Sequence, residues 1–490
     1  MIRMTGRLPG RAVAAIALTA ALISASSNGG ALNGVQVASA PEATVAAGAA
    51  ARLAGAVRIP TVSEQDGRPS DAMAFQRLHA YLAEAFPAVH STLQRETVGG
   101  HSLLYTWKGA DASLKPILLM GHLDVVPIEP GTEDRWTHPP FEGRVADGFI
   151  WGRGAIDNKS ALMGQLEAVE TLLKDGFRPA RTVYLAYGHD EEIGGTHGAR
   201  AIAELLKRRG VQLEMTLDEG GVISEGVLPG VGRPVALVGV AEKGFVSVEL
   251  TVQQAGGHSS MPPAQSAIGI LGAAIARLEA NQAPARLEGP TRQLFDAISP
   301  QFPFVQRAVF ANLWLTHPLV MRKLEASPAT NAMIRTTTAT TVFQAGEKEN
   351  VLPSHARAMV NFRILPGDSV NGVVERIRCV VDDGRVEVKA AEGFSAEPSG
   401  ASSVESESFR RLERAIVSTT PDAIVAPYLV VVATDSRYYA DLSRDVYRFL
   451  PVRVTARDLE RMHGTDERIA TADYERAIRV YRRLLLEAAR

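Results

Sequence analysis

The sequence predicts an α/β fold in which a doubly wound, mostly parallel sheet forms a catalytic domain, and a ferredoxin-like α+β lid domain is inserted into it. Two observations favour this fold. Short apolar runs alternate with helical stretches from about residue 100 onward, which is typical of parallel sheets with helices on both faces. A later segment reads β-α-β-β-α-β, the order of the ferredoxin-like split unit.

The first part of the catalytic domain is predicted over residues 46–243. Each apolar run is short enough to be a strand and is followed by a longer helical stretch. The predicted strands are LLYTW, PILLM, TVYLAY and LEMTL, and the predicted helices include ALMGQLEAVETLLKD and GARAIAELLKRRG.

The lid domain is predicted over residues 244–394, and the chain returns to the catalytic domain over 395–490. The lid strands are FVSVELTV, TTTATTVF, ARAMVNFRIL and RVEVKAA, and its helices are SAIGILGAAIARLEA and SVNGVVERIRCVVDD. An insertion at 286–332, rich in Phe, Leu and Val, interrupts this domain. Packing on its own domain, a dimer interface and a groove for an apolar substrate would each explain it, and plain packing is the simplest.

The first 45 residues differ in composition from the rest. Arg3, Arg7 and Arg11 precede an apolar run at 12–23, and small residues follow. This order predicts a signal peptide and leader, hence an exported protein, periplasmic or secreted. The run is too short for a typical membrane-spanning helix, so no stable span is expected in the mature chain, although an uncleaved N-terminal anchor is the alternative.

Composition excludes some classes of partner. Lys and Arg number 52 and Asp and Glu 54, a formal charge of −2, so nothing indicates a nucleic-acid partner.

The single cysteine, Cys379, cannot form an internal disulfide, and its place in a predicted amphipathic helix indicates a small buried residue.

Five candidate metal ligands follow strand ends or lie in turns: His122, Asp157, Glu192, Asp218 and His463. Three of them come just after predicted strands, and the carboxyl ends of parallel strands meet at one sheet edge. Two imidazoles and three carboxylates suit zinc better than calcium or magnesium. Five ligands are too many for one four-coordinate ion but suit two ions that share a carboxylate.

Two further acids near these ligands are predicted to act without binding metal. Asp124, two residues after His122, can accept the N–H of that imidazole and so fix its tautomer. Glu191 adjoins Glu192 and is free to take a proton from metal-bound water and later to protonate the leaving amine. Solvated acids or helix caps would be the plain structural explanation for each residue alone.

The combination of motifs resembles the M20 metallopeptidases. GHLDVVP, WGRGAIDNK, GHDEEIGG, LDEGG, GGHSSMPP, NFRILPG and ATDSRYY carry the resemblance, which runs from about residue 50 to the end. Within the family, the chain looks most similar to the branch of carboxypeptidase S and the secreted N-fatty-acyl-amino-acid synthase/hydrolases.

The resemblance implies two zinc ions, for which Co²⁺ or Mn²⁺ could substitute. One ion would take His122, Asp157 and Asp218, and the other Asp157, Glu192 and His463, with Asp157 bridging and a cis peptide at Asp157–Asn158. In the lid, His258 would support the oxyanion, and the family often supplies this residue across a homodimer. Arg363 and Asn350 match positions that hold the free carboxylate of the substrate, for which the arginine fork is suited.

The predicted activity is hydrolysis of an amide whose amine side is an amino acid with a free carboxylate, by metal-bound hydroxide with Glu191 as general base. An N-acyl-amino-acid amidohydrolase is favoured. A zinc carboxypeptidase or dipeptidase and a catalytically inactive binding protein of the same fold are the alternatives.

Overall fold

The computed structural model describes residues 45–64, 70–228, 230–393 and 395–490. The predicted signal peptide and leader, apart from Val45, lie outside these residues. Within the described ranges, no helix is long and apolar enough to cross a membrane.

The strands of the described residues are short, and most are buried. In chain order they are β1 (Gln94–Val98), β2 (Ser102–Trp107), β3 (Ile117–His122), β4 (Arg144–Ala146), β5 (Phe149–Trp151), β6 (Val183–Gly188), β7 (Met215–Asp218), β8 (Ile223–Ser224), β9 (Val235–Glu242), β10 (Gly244–Gln253), β11 (Gly257–His258), β12 (Thr337–Ala345), β13 (Val351–Leu352), β14 (His355–Ile364), β15 (Val386–Ala390), β16 (Ile424–Val430), β17 (Val446–Arg448), β18 (Arg453–Val454) and β19 (Arg468–Ala470).

The helices lie between these strands. They are α1 (Ala49–Val57), α2 (Ala72–Ala85), α3 (Pro87–Thr92), α4 (Lys159–Lys174), α5 (Ala199–Arg208), α6 (Ala267–Ala280), α7 (Gly289–Ile298), α8 (Phe304–Ala311), α9 (Leu313–Glu325), α10 (Pro328–Ile334), α11 (Val370–Val381), α12 (Glu407–Thr419), α13 (Ala456–Arg461) and α14 (Thr471–Ala488).

The central sheet has ten strands in the order β1-β2-β6-β3-β7-β17-β9-β8-β18, with β16 paired to β9. Strands β6, β3, β7 and β17 are parallel neighbours, as are β9 and β16. Helices α1, α4 and α14 cover one face and contribute to the largest apolar cluster, while α5 covers the other. The prediction of a mostly parallel α/β sheet is confirmed.

The lid sheet runs β12-β14-β10-β15 and is antiparallel throughout. With α6 and α11 packed on one of its faces, it has the predicted β-α-β-β-α-β order. Its strands begin at Gly244 and end at Ala390, inside the segment predicted for the lid, and the alternating burial along β10 and β14 reflects a sheet with one covered face.

The insertion forms helices α7–α10, and α7 packs against β16 of the central sheet. Its buried residues Leu294, Phe295 and Leu324 join an apolar cluster with Leu237 of β9 and Ala426 of β16. The insertion is thus covered in part by the catalytic domain rather than by the lid into which its sequence falls.

The prediction that Cys379 is buried is wrong: the residue is exposed. The buried face of α11 consists of Val373, Val374, Ile377 and Val381, which follow the three- and four-residue spacing of one helix face. Cys379 falls outside that spacing and therefore faces solvent.

Candidate active site

The carboxyl ends of β6, β3 and β7 carry the candidate residues. β3 ends at His122 and β7 at Asp218, and β6 is followed by a single 3-10 turn, Glu191–Ile193, that presents Glu191 and Glu192. Because the three strands are parallel neighbours, their ends meet at one edge, where open α/β sheets place ligands.

Two groups of side chains at this edge could each hold a cation. The first is His122, Asp157 and Glu219, and the second is Asp157, Glu192 and His463; the ligand atoms of each group lie within 4.8 Å of one another. His122 Nε2 is 3.0 Å from Asp157 Oδ1, and His463 Nε2 is 3.1 Å from Asp157 Oδ2. Asp157 thus faces one group with each oxygen, which is the arrangement of a bridging carboxylate. The Asp157–Asn158 peptide is cis.

Glu219, which sequence reasoning missed, lies where Asp218 was expected. Glu219 Oε1 is 3.2 Å from His122 Nε2, and its other oxygen accepts from the side-chain amide of Asn158. Asp218 belongs to neither group; its Oδ2 accepts from the backbone N–H of Ser436 at 2.8 Å. The sequence offered one indication of Glu219, because it is the second acid of LDEGG. Metal binding by Asp218 stays a prediction.

Asp124 is buried behind the cluster and holds several of its parts. The ring Nδ1 of His122 donates to the Asp124 carbonyl oxygen at 2.9 Å and lies 3.3 Å from its carboxylate. The carboxylate also accepts from the backbone N–H groups of Glu191 and Glu192, at 3.2 and 3.1 Å, and from the Ser63 hydroxyl at 2.6 Å. Asp124 therefore positions both an imidazole and the turn that carries the two glutamates.

A buried ion pair joins the turn of Asp157 to the loop of His463. Arg153 Nη1 donates to Glu467 Oε2 at 2.7 Å, and Arg153 Nη2 donates to the His463 carbonyl oxygen at 3.0 Å. Glu467 Oε1 accepts from the backbone N–H groups of Ile156 and Asp157, at 2.9 and 3.1 Å. His463 itself has φ 60°, a left-handed conformation that is uncommon for a non-glycine residue.

A second buried ion pair orders the loop that contacts Asp218. Arg448 Nε donates to Glu242 Oε2 at 3.2 Å, and this oxygen also accepts from the backbone N–H and hydroxyl of Thr434, each at 3.0 Å. The Thr434 hydroxyl lies 2.7 Å from that of Ser436, whose N–H binds Asp218. The ATDSRYY segment thus positions Asp218 through the backbone N–H of Ser436.

Burial and neighbouring charges shift the pKa values of the cluster residues. Burial raises the pKa of Glu192 and that of Glu219 to about 7, and the Asp157 carboxylate adds to each rise. Hydrogen bonds to Asp157 and Glu192 raise the pKa of His463 to about 10. Burial alone would lower the pKa of His122, yet the surrounding carboxylates hold it well above its ordinary value.

Glu191 lies beside both groups but belongs to neither. Burial raises its pKa well above the ordinary value, and the charges of Asp435, Glu219 and Glu192 act in the same direction. A carboxyl group with a raised pKa can serve as a general acid as well as a base.

The donor set fits divalent cations. Oxygen Oε1 of Glu192 is buried and has no hydrogen-bond partner among the described residues, an arrangement that a bound cation would satisfy. Imidazole nitrogens combined with carboxylate oxygens favour zinc and related transition metals.

An open cavity of about 1940 Å³ starts at the cluster. Asp157, Glu191 and His463 line it at the cluster, and Arg363 of the lid also lines it. His258 is exposed on β11, where Ser259 N–H donates to the Asn350 carbonyl oxygen at 3.1 Å. The structure thus brings His258 and Asn350 together, but neither lines the cavity in this chain.

Comparisons with known proteins find similar sequences and a similar fold. The sequence model of "Peptidase family M20/M25/M40" matches residues 118–487. An N-fatty-acyl-amino acid synthase/hydrolase of Danio rerio is 44% identical over 433 residues, covering 88% of this chain and 84% of that protein. A carboxypeptidase S-like protein of Dictyostelium discoideum is 42% identical over 440 residues, covering 89% and 84%. The crystal structure of an M20 family metallo-carboxypeptidase from Sulfolobus solfataricus superposes with a TM-score of 0.64 at 20% identity, covering 89% of this chain and 98% of that one.

We expect metal binding to strengthen as pH rises through about 7, the pKa of both Glu192 and Glu219. Both acids bind protons below that pH, as does His463, and each must lose its proton before it can coordinate a cation. Zinc titrations by calorimetry in two buffers of different ionisation enthalpy would measure the protons released. Equal heats in both buffers would contradict the prediction.

Replacing Glu467 should weaken the link between the segments that carry Asp157 and His463. In Glu467→Gln, Arg153 stays buried without its counter-charge, so the free energy of unfolding should fall by about 3–5 kcal/mol. Zinc affinity should fall as well, because Asp157 and His463 lose their common anchor. Denaturant unfolding and zinc titration would measure both effects. The exposed Arg292–Asp296 pair offers a control, since Asp296→Asn should cost less than about 1 kcal/mol; equal losses in the two variants would refute the role of Glu467.

Proposed function

Because the chain belongs to peptidase family M20/M25/M40 and is a hydrolase, we propose that it is a di-zinc amidohydrolase that cleaves N-acyl amino acids with long apolar acyl groups. The observation that carries this proposal is the continuity of the cavity. It begins at the carboxylate–imidazole cluster and extends along the helices of the insertion.

The far part of the cavity suits an acyl chain. Its volume of about 1940 Å³ exceeds the roughly 300–1,000 Å³ of pockets that hold drug-sized ligands. The side chains that the insertion contributes are mostly apolar and include Leu294, Phe295, Phe302, Phe310, Leu324 and Met333. Each methylene moved from water into such surroundings is stabilised by about 0.8 kcal/mol, so a long acyl chain would bind better than an acetyl group.

Arg363 is the proposed holder of the amino-acid carboxylate. It lines the cavity, and its guanidinium lies 4.7 Å from the centre of the Phe245 ring. Among the described residues it forms no ion pair, and burial lowers its pKa. An arginine without a counter-charge in a substrate cavity is well placed to bind a carboxylate in a bidentate manner.

His122, Asp157, Glu192, Glu219 and His463 are the proposed metal-holding residues, with Asp157 shared. Bound cations would polarise the scissile carbonyl and lower the pKa of a water molecule. Glu191 would take a proton from the attacking water and deliver it to the leaving amine. Asp124 would hold the Glu191–Glu192 turn in place during these transfers. His258 and Asn350, which lie outside the cavity in this chain, would act only if the lid moved or a second copy supplied them.

A zinc carboxypeptidase is the second candidate. A peptide C-terminus presents the same free carboxylate to Arg363, and a relative is named carboxypeptidase S-like. The two candidates differ in what occupies the insertion side of the cavity, since a peptide would place polar backbone groups against apolar side chains there.

Glu191→Gln should reduce kcat by about 10²–10⁴-fold without loss of bound metal, because the amide can neither accept nor return the proton. Turnover of an N-acyl amino acid and metal content would be measured on the same preparation. Glu204→Gln, at an exposed acid that pairs with Arg200, is the matched control. A Glu191→Gln variant that binds metal and turns over normally would refute the assigned role.

Val309→Trp should shorten the acyl site. Val309 is half-buried on α8 and lines the cavity, so the larger ring would occupy space that the distal acyl chain needs. We expect kcat/KM for long-chain acyl amino acids to fall on the order of tenfold or more, with hydrolysis of the acetyl analogue unchanged. Met73→Trp, at an exposed site on α2, is the control.

The same substrate panel distinguishes the alternatives when it also contains aminoacyl members and a chelated control. Chelator-sensitive preference for aminoacyl members would establish the carboxypeptidase. No cleavage of any member would favour a binding protein that has lost catalysis.

A further inference from the structure

The helices α8 and α9 present an apolar surface that is continuous with the rim of the cavity. Phe304, Trp314 and Leu315 expose 74%, 83% and 66% of their surface. Val305 and Leu319 expose 72% and 63% and also line the cavity. We call these five residues the α8–α9 face. Contiguous exposed apolar surface of this kind marks an interaction site.

The spacing of residues along α9 connects this face to the cavity. Leu315, Leu319 and Lys323 are separated by four residues each and therefore lie in one row on the helix. Leu319 and Lys323 line the cavity, whereas Leu315 does not. The row therefore leads outward from the cavity mouth. On α8, Val305 lines the cavity and the adjacent Phe304 does not, so this pair also leads outward.

Basic residues flank the α8–α9 face. Arg307, Arg322 and Lys323 are exposed, and within the described part of the chain none of them forms an ion pair with an acidic side chain. The nearby acid Glu325 is engaged by Arg335 at 3.0 Å. The surroundings of the face are thus positively charged, which fits a negatively charged partner.

We propose that the α8–α9 face docks on an anionic lipid surface and places the cavity mouth against it. Exposed aromatic and aliphatic side chains with adjacent basic residues are the features of interfacial helices, whose apolar side chains enter the headgroup region. An amphiphilic substrate could then pass from lipid into the cavity without crossing water. The passage of substrate rests on the proposed function, but docking itself does not.

The intrinsic tryptophan fluorescence of the chain can test this proposal. Of its four tryptophans, Trp107, Trp136 and Trp151 are buried, and only Trp314 is exposed. Added to the full chain, vesicles of phosphatidylcholine with phosphatidylglycerol should shift the Trp314 emission to shorter wavelength, and brominated lipid should quench it. Because Trp314 lies within the proposed contact, attachment through another segment would not give this signal.

Phe304→Ser/Leu315→Ser should abolish the shift and the quenching, because it removes two of the apolar side chains that would enter the lipid. The variant retains Trp314 as the reporter, and neither replaced residue lines the cavity. Met73→Ser should leave both unchanged. Arg307→Glu/Arg322→Glu, or vesicles of phosphatidylcholine alone, should weaken them severalfold. Hydrolysis of an acetyl amino acid, measured on each sample, should stay unchanged and tests the proposed function separately.

Unchanged Trp314 emission with anionic vesicles would overturn the proposal, even if hydrolysis is normal. Equal responses with and without phosphatidylglycerol would overturn the requirement for anionic lipid. A Trp314 emission already shifted without lipid, together with a dimer that Phe304→Ser/Leu315→Ser dissociates, would assign the face to a second copy instead.

Discussion

The buried pair of Arg153 and Glu467 is the interaction on which the candidate site depends. It connects a turn near residue 157 with a loop more than 300 residues later in the chain. A charge buried without its partner is strongly destabilising, so the two segments are stable only when they meet. Since Asp157 and His463 lie directly beside the partners of this pair, the condition that satisfies the buried charges also assembles the cluster.

The insertion changes what this catalytic edge can accommodate. The carboxyl edge of the parallel sheet provides backbone polar groups and, in this chain, acidic side chains, which suit a compact polar substrate. Helices α7–α10 add an apolar wall that packs on β9 and β16. The cavity is therefore polar at the cluster and apolar along the insertion, and an acyl amino acid has the same polarity along its length.

Much of this arrangement could be predicted from sequence. Strand ends place candidate ligands because parallel strands share an edge, and the strand pattern therefore assigned His122 and Glu192 to the edge at which the two candidate cation groups lie. The same pattern favoured Asp218 and overlooked Glu219, which the structure places in the first candidate group. Adjacent residues at a strand end point to opposite sides, and the position of Asp218 also depends on a loop that starts about 215 residues later. The packing partner of the insertion was equally hidden, because sequence order assigns it to the lid while tertiary contacts assign it to β9 and β16.

The excess of carboxylates at the site explains why a neutral residue, Asn158, is compatible with it. Its amide donates to Glu219, whereas an ionised carboxylate at this position would place a further negative charge beside an acid that burial already makes costly to ionise. The cluster and Glu191 already supply more carboxylates than the two imidazoles can balance, so protons or cations must neutralise the remainder. A neutral donor orients Glu219 without adding to that excess. Asn158 therefore affects the charge of the cluster and the orientation of Glu219.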